Sequence, residues 1–334
     1  MSTRIRYIER QPSKSVSIEK VFREIASKLP PRFKCDFDQL PFSSKVYNIA
    51  LNLLFFRTKA TDIYHITGHV HFIALRLPVD CTVLTIHDVR FLYDHSGLKR
   101  FILKKLFLDL PVRRLRYITT ISSTVKDEIV RHTSCDPERI RVLDVPLLSH
   151  FEPQDLVEFN SAKPRILQIG TMENKNIPNL AKALKGVSCR LVIVGDLTDS
   201  QRHVLEENEI DLECLADLSD NEMQDQYSKA DVIAYCSTYE GFGLPIIEAQ
   251  AVGKPAVTSD LSPMKETAGD GAYLVDPFDV ESIRAGILSV INDEPRRLKI
   301  VEAGFKNAKR FEPAFVAAQY EKLYDEIHSK SDSL

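Results

Sequence analysis

The sequence predicts an α/β protein of two tandem domains, each a parallel sheet flanked by helices. The first observation is length, because 334 residues suffice for two domains of about 100–200 residues each. The second is that short strand-like segments alternate with helical patterns through both halves. The third is charge. Residues 1–160 hold 25 Lys and Arg against 18 Asp and Glu, whereas residues 161–334 hold 19 against 29. Halves of opposite charge indicate domains with different partners.

The first half alternates four strand-like segments with four helical patterns. Segments rich in β-branched and aromatic residues are typical of strands. They lie at Ile5–Ile8, Thr61–Thr67, Thr82–Ile86 and Tyr117–Ile121. Apolar residues recur with helical spacing near 17–28, 44–57, 98–109 and 123–131. Strands separated by helices in this way predict a parallel sheet.

The second half repeats this alternation. Its predicted strands are Arg165–Ile169, Arg190–Val194, Val232–Cys236, Pro255–Thr258 and Ala272–Val275. The polar segment 151–164 has two prolines and predicts a linker, and residues 279–330 are helical with breaks at Pro295 and Pro313. We therefore expect an N-terminal domain over 1–155 and a second domain over 156–312. We also expect a C-terminal helix over 313–334, which could cross back to the first domain.

The composition excludes several classes of protein. Its longest apolar runs are far shorter than the roughly 20 residues of a membrane span, and its basic, polar N-terminus lacks a signal-peptide core. We therefore expect a soluble, cytoplasmic protein. The six cysteines include no CxxC pair, so we interpret them as reduced core residues. The sequence also lacks nucleic-acid-binding motifs, so nucleic acid is not an expected partner.

The most informative segment is STYEGFGLPIIEAQAVGKP, residues 237–255, which follows an apolar strand. Two tandem sheets of this kind place a cleft between their carboxyl ends, where loops after strands bind ligands. Gly241 and Gly243 permit close approach of the backbone to a ligand, and Pro245 marks the first turn of a helix. The start of that helix suits phosphate oxygens. Glu240 and Glu248, eight residues apart, could accept hydrogen bonds from sugar or ribose hydroxyls.

Three other interpretations of this segment remain open. Glu248 could simply complement the helix dipole while Glu240 is a solvated loop charge. A dinucleotide-binding fingerprint would need a third glycine where Ile246 stands. A glycosidase would use a pair of carboxylates, although acids on one loop and helix flank a bond less naturally than acids on opposite walls.

The segment EGFGLPIIEA resembles the E-x7-E signature of retaining family-4 glycosyltransferases of the GT-B architecture. The resemblance extends over residues 167–287, through LQIGTMENKNIPNLAKAL, CRLVIVGDL and SPMKETAGDGAYLVDPFDVESI. It implies a GT-B fold, with two Rossmann-like βαβ domains, a cleft between them and a C-terminal helical segment. The segments GTMENKN and STYEGFGLPIIEAQA are most similar to those of bacterial enzymes of O-antigen and capsule assembly, many of them mannosyltransferases.

The resemblance assigns roles to residues of the second half. It implies that Glu240 contacts hydroxyls of the donor hexose, Glu248 the nucleotide ribose and Lys175 the donor diphosphate. The other residues that it places at the donor are Gly170, Thr171, Gly241, Phe242, Gly243 and Leu244. Many relatives carry an arginine before the lysine, where this chain has Thr171 and Asn174. Neutralisation of the diphosphate should therefore depend more on Lys175 and on the helix that starts near Pro245.

In the first half, TIHDVRFLYD (residues 85–94) resembles the family's His-Asp segment. The resemblance makes His87 a candidate contact of the donor sugar, although a histidine that only caps a strand is the alternative. Asp88 is expected to cap the turn. The triplet His65, His69 and His71 is interpreted as a polar cleft wall rather than a metal site. The glycine-rich loop of many relatives is replaced by RQPSKSVS, residues 10–17.

Residues 98–116, LKRFILKKLFLDLPVRRLR, hold seven Lys and Arg against one acid, with apolar residues interleaved. Such a helix can rest on an anionic membrane leaflet. An ordinary surface helix packed by its apolar stripe is the alternative. We assign Arg100, Lys104 and Lys105, together with Lys14, to the acceptor or membrane side of the protein.

The expected activity is transfer of a hexose from a GDP- or UDP-hexose to a hydroxyl with retention at the anomeric carbon. The resemblance to mannosyltransferases implies that this hexose is mannose. The acceptor would be a saccharide or a lipid-linked molecule of surface polysaccharide synthesis. Because no DxD-like motif lies in a suitable loop, we expect activity without metal and without a resident cofactor. A peripheral position on the inner face of the membrane is compatible with this activity. An inactive nucleotide-sugar-binding subunit and a GT-B nucleotide-sugar 2-epimerase are the alternatives.

Overall fold

The structure, a computed structural model, describes residues 2–11, 17–153 and 158–331. The chain divides into two compact units. The first comprises residues 1–148 with 313–334, and the second comprises residues 149–312. The sequence had placed the boundaries at 155 and 312. Each unit has its own sheet and its own hydrophobic core.

Twelve strands are found within the described residues, and they form two six-stranded sheets. They are β1 (Thr3–Glu9), β2 (Phe33–Gln39), β3 (Ile63–Ile66), β4 (Thr82–Ile86), β5 (Tyr117–Thr120), β6 (Ile140–Val142), β7 (Arg165–Ile169), β8 (Arg190–Val194), β9 (Leu212–Leu215), β10 (Val232–Tyr235), β11 (Ala256–Ser259) and β12 (Ala272–Val275). The first sheet has the order β2-β1-β3-β4-β5-β6 and the second β12-β11-β10-β7-β8-β9. All neighbouring strands are parallel.

Fourteen α-helices connect or flank these strands in the described part of the chain. They are α1 (Ser17–Lys28), α2 (Ile49–Phe55), α3 (Phe91–Asp94), α4 (Gly97–Lys104), α5 (Leu110–Arg114), α6 (Ser123–Thr133), α7 (Ile177–Leu184), α8 (Asp199–Glu207), α9 (Asp220–Lys229), α10 (Leu244–Ala251), α11 (Met264–Ala268), α12 (Val280–Asn292), α13 (Glu294–Ala308) and α14 (Pro313–Ser331). Helix α14 begins at Pro313 and belongs to the first unit, where it packs against α1.

The sequence analysis missed β2, β6 and β9. Each of them is an edge strand of its sheet. The predicted central strands are apolar runs because helices cover both faces of a parallel sheet. Strand β2 instead has the sequence FKCDFDQ, in which polar residues remain partly exposed, so no apolar run marks it. The missed β9 also explains why Cys214 is exposed and is not the core residue that we expected.

The predicted helix over 98–116 is interrupted. Helix α4 ends at Lys104, a π-helical turn covers Lys105–Asp109, and α5 ends at Arg114. Pro111 lies in the first turn of α5, where a missing N–H is tolerated. The carbonyl of Phe107, inside the π-helical turn, accepts a hydrogen bond from His71 Nδ1 at 2.6 Å. In the described part of the chain, no helix combines the length and apolarity needed to cross a membrane.

Three buried histidines lie in the first unit. His65 forms hydrogen bonds of 2.7 Å to Tyr324 of α14 and to Thr85 of β4. His87 Nε2 lies 2.8 Å from the carbonyl oxygen of Thr67. Burial, with smaller repulsion from neighbouring histidines, lowers the pKa of His65 and of His71 to about 3 and that of His87 to about 4. All three imidazoles are therefore neutral at neutral pH.

We expect the first unit to lose stability steeply below pH 6.5. The unfolded chain protonates these histidines near pH 6.5 while the folded state does not, so stability is present above that pH and is lost as the pH falls towards 4. Each histidine contributes a slope of about 1.4 kcal/mol per pH unit. Urea unfolding at several pH values between 7 and 5 measures the slope of the unfolding free energy against pH. H65Q should remove about one third of the part of the slope that these three histidines supply; a slope that H65Q leaves unchanged contradicts the assignment.

Candidate functional site

The candidate site lies at the carboxyl edge of the second sheet. The loop after β7 and the loop after β10 meet there, because the carboxyl ends of parallel strands share one edge. Gly243 precedes α10 with a left-handed φ of 108°. A Cβ at this position would lie 2.9 Å from Ile246 Cδ1, so glycine is required for the turn into the helix. The N-terminus of α10 therefore lies at this edge.

Lys175 and Glu240 form an ion pair in this site. Lys175 Nζ lies 2.6 Å from Glu240 Oε1 and 2.7 Å from the hydroxyl of Tyr235, and it sits over the Tyr235 ring, 4.5 Å from the centroid. The two charged side chains are only 10% and 14% exposed. Gly170 has a φ of 84°, and a Cβ there would lie 2.9 Å from Lys175 Cε. Gly170 thus makes room for the lysine stem.

Asn174 and Tyr235 hold this pair in place. Asn174 Nδ2 donates to the backbone oxygen of Tyr239 at 2.7 Å and to Glu240 Oε1 at 3.0 Å. Burial and the nearby Glu240 carboxylate raise the pKa of Tyr235 well above its usual value, so its hydroxyl is protonated at neutral pH. The carboxylate therefore has a fixed orientation before any ligand binds.

Glu248 is held by Tyr227 of α9. Tyr227 is fully buried, and its hydroxyl donates to Glu248 Oε2. The ring of Phe151 meets the Tyr227 ring edge-on at 5.2 Å, which fixes the tyrosine from its other side. Burial and the carboxylate raise the pKa of Tyr227 well above its usual value, so it acts as the donor. Glu248 lies in the second turn of α10 and is partly exposed.

The other predicted donor-binding residues fall into two groups. Gly241, Gly243 and Leu244 lie where the loop enters α10. Phe242, by contrast, is buried with its ring edge-on to Phe311 at 5.5 Å, so its side chain supports the loop from within the unit. The methyl group of Thr171 packs against Gly195, which follows the neighbouring strand β8.

The residues predicted in the first half belong to the first unit. His87 follows β4 and is buried, with Nε2 bonded to the Thr67 carbonyl. Asp88 accepts a hydrogen bond from the backbone N–H of Arg90 at 3.0 Å, which is the geometry of a turn cap. His65 and His71 are tied to neighbouring elements by hydrogen bonds, whereas His69 lies 3.6 Å from Asp88 Oδ2.

The basic residues assigned to the acceptor or membrane side also lie in the first unit. Lys104 and Lys105 both form ion pairs with Asp109, at 2.5 and 2.9 Å. Part of the positive charge of this segment is thus neutralised within it. Arg100 is exposed on α4. Lys14 lies outside the described residues.

Sequence reasoning did not identify Tyr227 or Tyr235. Tyr235 contacts a lysine 60 residues earlier in the chain, and Tyr227 contacts a glutamate 21 residues later. In the sequence, nothing distinguishes these two tyrosines from ordinary buried aromatic residues of a helix or strand. A buried tyrosine needs a partner for its hydroxyl, which is the one signal that could have prompted a search.

The chemistry of this arrangement follows from its parts. A helix N-terminus and a lysine ammonium attract an anion such as a diphosphate. Two carboxylates with fixed orientation accept hydrogen bonds from hydroxyl groups. The combination suits a ligand that carries phosphates between two groups rich in hydroxyls.

The chain is similar to known glycosyltransferases. Residues 154–307 match the family "Glycosyl transferases group 1". The chain is 31% identical to the O-antigen chain mannosyltransferase RfbU of Salmonella typhimurium, over 62% of this chain and 60% of that protein. It is 30% identical to O-antigen chain mannosyltransferase B of Escherichia coli, over 69% of this chain and 66% of that protein. The matched regions thus span less than two thirds of each relative.

Solved structures with the same fold cover almost the whole chain. Anabaena HepE in complex with UDP and glucose has a TM-score of 0.74 at 16% identity, covering 97% of this chain and all of that one. A glycosyltransferase from Rickettsia africae has a TM-score of 0.73 at 18% identity, covering 98% of both chains. At these identities the likeness shows the fold alone.

Proposed function

Residues 154–307 belong to the glycosyl transferases group 1 family, and from this premise we propose that the chain transfers mannose from a nucleotide diphosphate sugar to a hydroxyl group. The acceptor is a saccharide or a lipid-linked molecule of surface polysaccharide synthesis. The observation that carries the proposal is the Lys175–Glu240 pair beside the N-terminus of α10. The two O-antigen mannosyltransferases among its relatives support the choice of sugar and acceptor class.

Each part of the donor has a complementary group. The diphosphate meets the N–H groups at the start of α10 and the Lys175 ammonium. The Glu240 carboxylate accepts hydrogen bonds from hexose hydroxyls, while Glu248 accepts them from the ribose. When the diphosphate binds, its negative charge draws the Lys175 ammonium away from Glu240. The Glu240 carboxylate then accepts hydrogen bonds from the hexose.

The mechanism is transfer with retention at the anomeric carbon. As the bond between the anomeric carbon and the diphosphate oxygen breaks, the acceptor oxygen bonds to the same face of that carbon and the acceptor's hydroxyl proton passes to the diphosphate. Negative charge grows on the leaving group as its bond breaks. Lys175 and the α10 dipole stabilise that charge, and their fixed positions make this stabilisation effective. Glu240 orients the hexose and does not attack it. Since the lysine and the helix supply the positive charge, we propose that the reaction needs no divalent metal.

Two other functions would use the same donor-binding residues. An inactive nucleotide-sugar-binding subunit would bind donor without turnover, and a nucleotide-sugar 2-epimerase would act without an acceptor. The relatives named mannosyltransferases favour transfer. Product analysis with and without acceptor separates the three functions, because only a transferase makes a glycoside of the acceptor.

We expect one nucleotide diphosphate, GDP or UDP, to stabilise the protein in the presence of EDTA. At about 100 times its dissociation constant the nucleotide should add about 2.7 kcal/mol to the free energy of unfolding of the second unit. Thermal shift with GDP, UDP, ADP and NAD measures this effect. Stabilisation by NAD, or by none of the four, contradicts the proposed donor. Activity that EDTA abolishes and manganese restores contradicts metal independence.

We also propose that the first unit rests on an anionic membrane surface through the segment 98–116. Arg100 is exposed there, and each basic residue near such a surface contributes about 1 kcal/mol. Vesicles of phosphatidylglycerol should therefore sediment the protein at low salt. R100E should weaken this binding about 30-fold, because it removes one positive charge and adds a negative one, a change of about 2 kcal/mol. Vesicles of phosphatidylcholine are the control. Equal sedimentation of the wild type and R100E would contradict the assignment.

A further inference from the structure

A pocket of about 540 Å³ opens in the first unit. Its walls come from the segment 44–47, from α4 with the π-helical turn that follows, and from the loops after β3 and β4. The residues that line it are Ser44, Lys45, Val46, Tyr47, His69, Phe91, His95, Lys99, Leu103 and Phe107. A concave site of this size accommodates part of a substrate-sized molecule.

The charge of the lining is one-sided. Lys45 and Lys99 are both exposed and contribute two positive charges, and neither Asp nor Glu is among the ten lining residues. His69 and His95 add hydrogen-bonding nitrogens. A lining of this kind complements an anion, and lysine ammonium groups are common partners of phosphate.

The rest of the lining is apolar, and apolar side chains continue onto the surface beside it. Phe91, Leu103 and Phe107 form the inner wall. At the rim, Tyr47 is 72% exposed and Leu98, next to Lys99 on α4, is 74% exposed. Within the described residues, nine of the fifteen exposed large hydrophobic side chains lie between positions 46 and 110.

We propose that this pocket binds the lipid phosphate of a lipid-linked acceptor, with the phosphate held by Lys45 and Lys99 and the hydrocarbon chain lying against the apolar wall and rim. The proposal rests on the proposed transferase function and deepens it, because it selects a lipid-linked acceptor over a free saccharide. Two cations beside apolar walls match an amphiphilic anion, whereas a free saccharide would leave the apolar rim exposed to water.

The position of the pocket favours a substrate over a bulk membrane lipid. His69, which lines the pocket, lies with its ring 6.3 Å from that of His87, the residue predicted to contact the donor sugar. Both histidines follow neighbouring strands, β3 and β4, at the carboxyl edge of the first sheet. A molecule bound in the pocket and in contact with His69 therefore lies close to His87.

Photo-crosslinking of the full chain tests this inference. The probe is a dodecyl phosphate with a diazirine in its chain, used below its micelle concentration, and labelled peptides are identified by mass spectrometry. We expect label within 44–47 and 91–107, and at least a tenfold loss of label in K45A/K99A, because a charge-assisted hydrogen bond to phosphate is lost at each lysine. The matched control is K59A/K185A, which removes two exposed lysines outside the lining and should keep the label.

Three competitors distinguish the sources of the ligand. Dodecyl phosphate should displace the probe, whereas inorganic phosphate and neutral dodecyl maltoside should not. Label spread over the surface, unaffected by K45A/K99A, overturns the proposal, as does displacement by inorganic phosphate alone.

Nucleotide binding separates this inference from the proposed function. The thermal shift with GDP or UDP is measured on the wild type, K45A/K99A and the control variant, and we expect the same shift in all three because both lysines lie outside the donor-binding unit. A wild type without any nucleotide shift contradicts the transferase proposal itself. A normal nucleotide shift together with no pocket labelling contradicts only the assignment of the pocket.

Discussion

Replacement of Lys175 by methionine is expected to lower kcat by about two to three orders of magnitude, the loss typical when one preorganised group that stabilises developing charge is removed. Methionine keeps the unbranched stem that fits beside Gly170 and under Tyr235, so packing is retained while the positive charge is removed. The donor still has the N-terminus of α10, so its KM should rise by less than kcat falls. Initial rates with a radiolabelled donor measure both constants.

The matched control for Lys175→Met is Lys185→Met, which removes an exposed lysine from the same unit. The control should keep the wild-type rate and melting temperature. The Lys175 variant leaves Glu240 bonded to Asn174, so we expect it to fold and to bind nucleotide. A kcat within about threefold of the wild type would show that the lysine is not needed for departure of the diphosphate.

Replacement of Glu248 by glutamine is expected to weaken GDP or UDP binding by about one to two orders of magnitude, because hydrogen bonds from ribose hydroxyls to a charged oxygen are lost. Glutamine still accepts a hydrogen bond from Tyr227, which alanine could not. The fold is therefore expected to survive. Isothermal titration calorimetry with the nucleotide that stabilises the wild type gives the two dissociation constants.

A chemical control isolates the ribose contact. A nucleotide diphosphate without the 2′ and 3′ hydroxyls should bind the wild type and Glu248→Gln equally, since the interaction is already missing. Tyr227→Phe should weaken binding of the natural nucleotide by a smaller factor, about threefold to tenfold, because it loosens Glu248 without removing it. If Glu248→Gln lowers the affinity for both nucleotides by the same factor, Glu248 acts on something other than the ribose.

The predicted GT-B fold class is confirmed by the two parallel sheets and by the solved structures with the same fold. Central strands such as β4, β7 and β8 were predictable because burial on both faces demands a local run of apolar residues. The edge strand β2 was not predicted, because one of its sides has no partner strand and solvent reaches its polar residues.

The candidate site divides in the same way. Glu240, Gly243 and the start of α10 follow one strand within a dozen residues, so local sequence was enough to predict a ligand-binding loop there. The hydrogen bond that Tyr227 donates to Glu248 and the one that Lys175 donates to Tyr235 join residues on different elements. No local pattern carries such pairs, because they depend on how the elements pack.

The sequence by itself determined the alternation of strands and helices, the loop that opens α10 and the residue types able to bind a phosphorylated sugar. Those properties depend on backbone propensity, on periodic burial and on side-chain chemistry, all of which are local. Only the tertiary structure decided that Lys175 pairs with Glu240, that a buried tyrosine orients Glu248, and that Lys45 and Lys99 share one pocket. These arrangements depend on the distance between residues far apart in the chain, and that distance is set by packing.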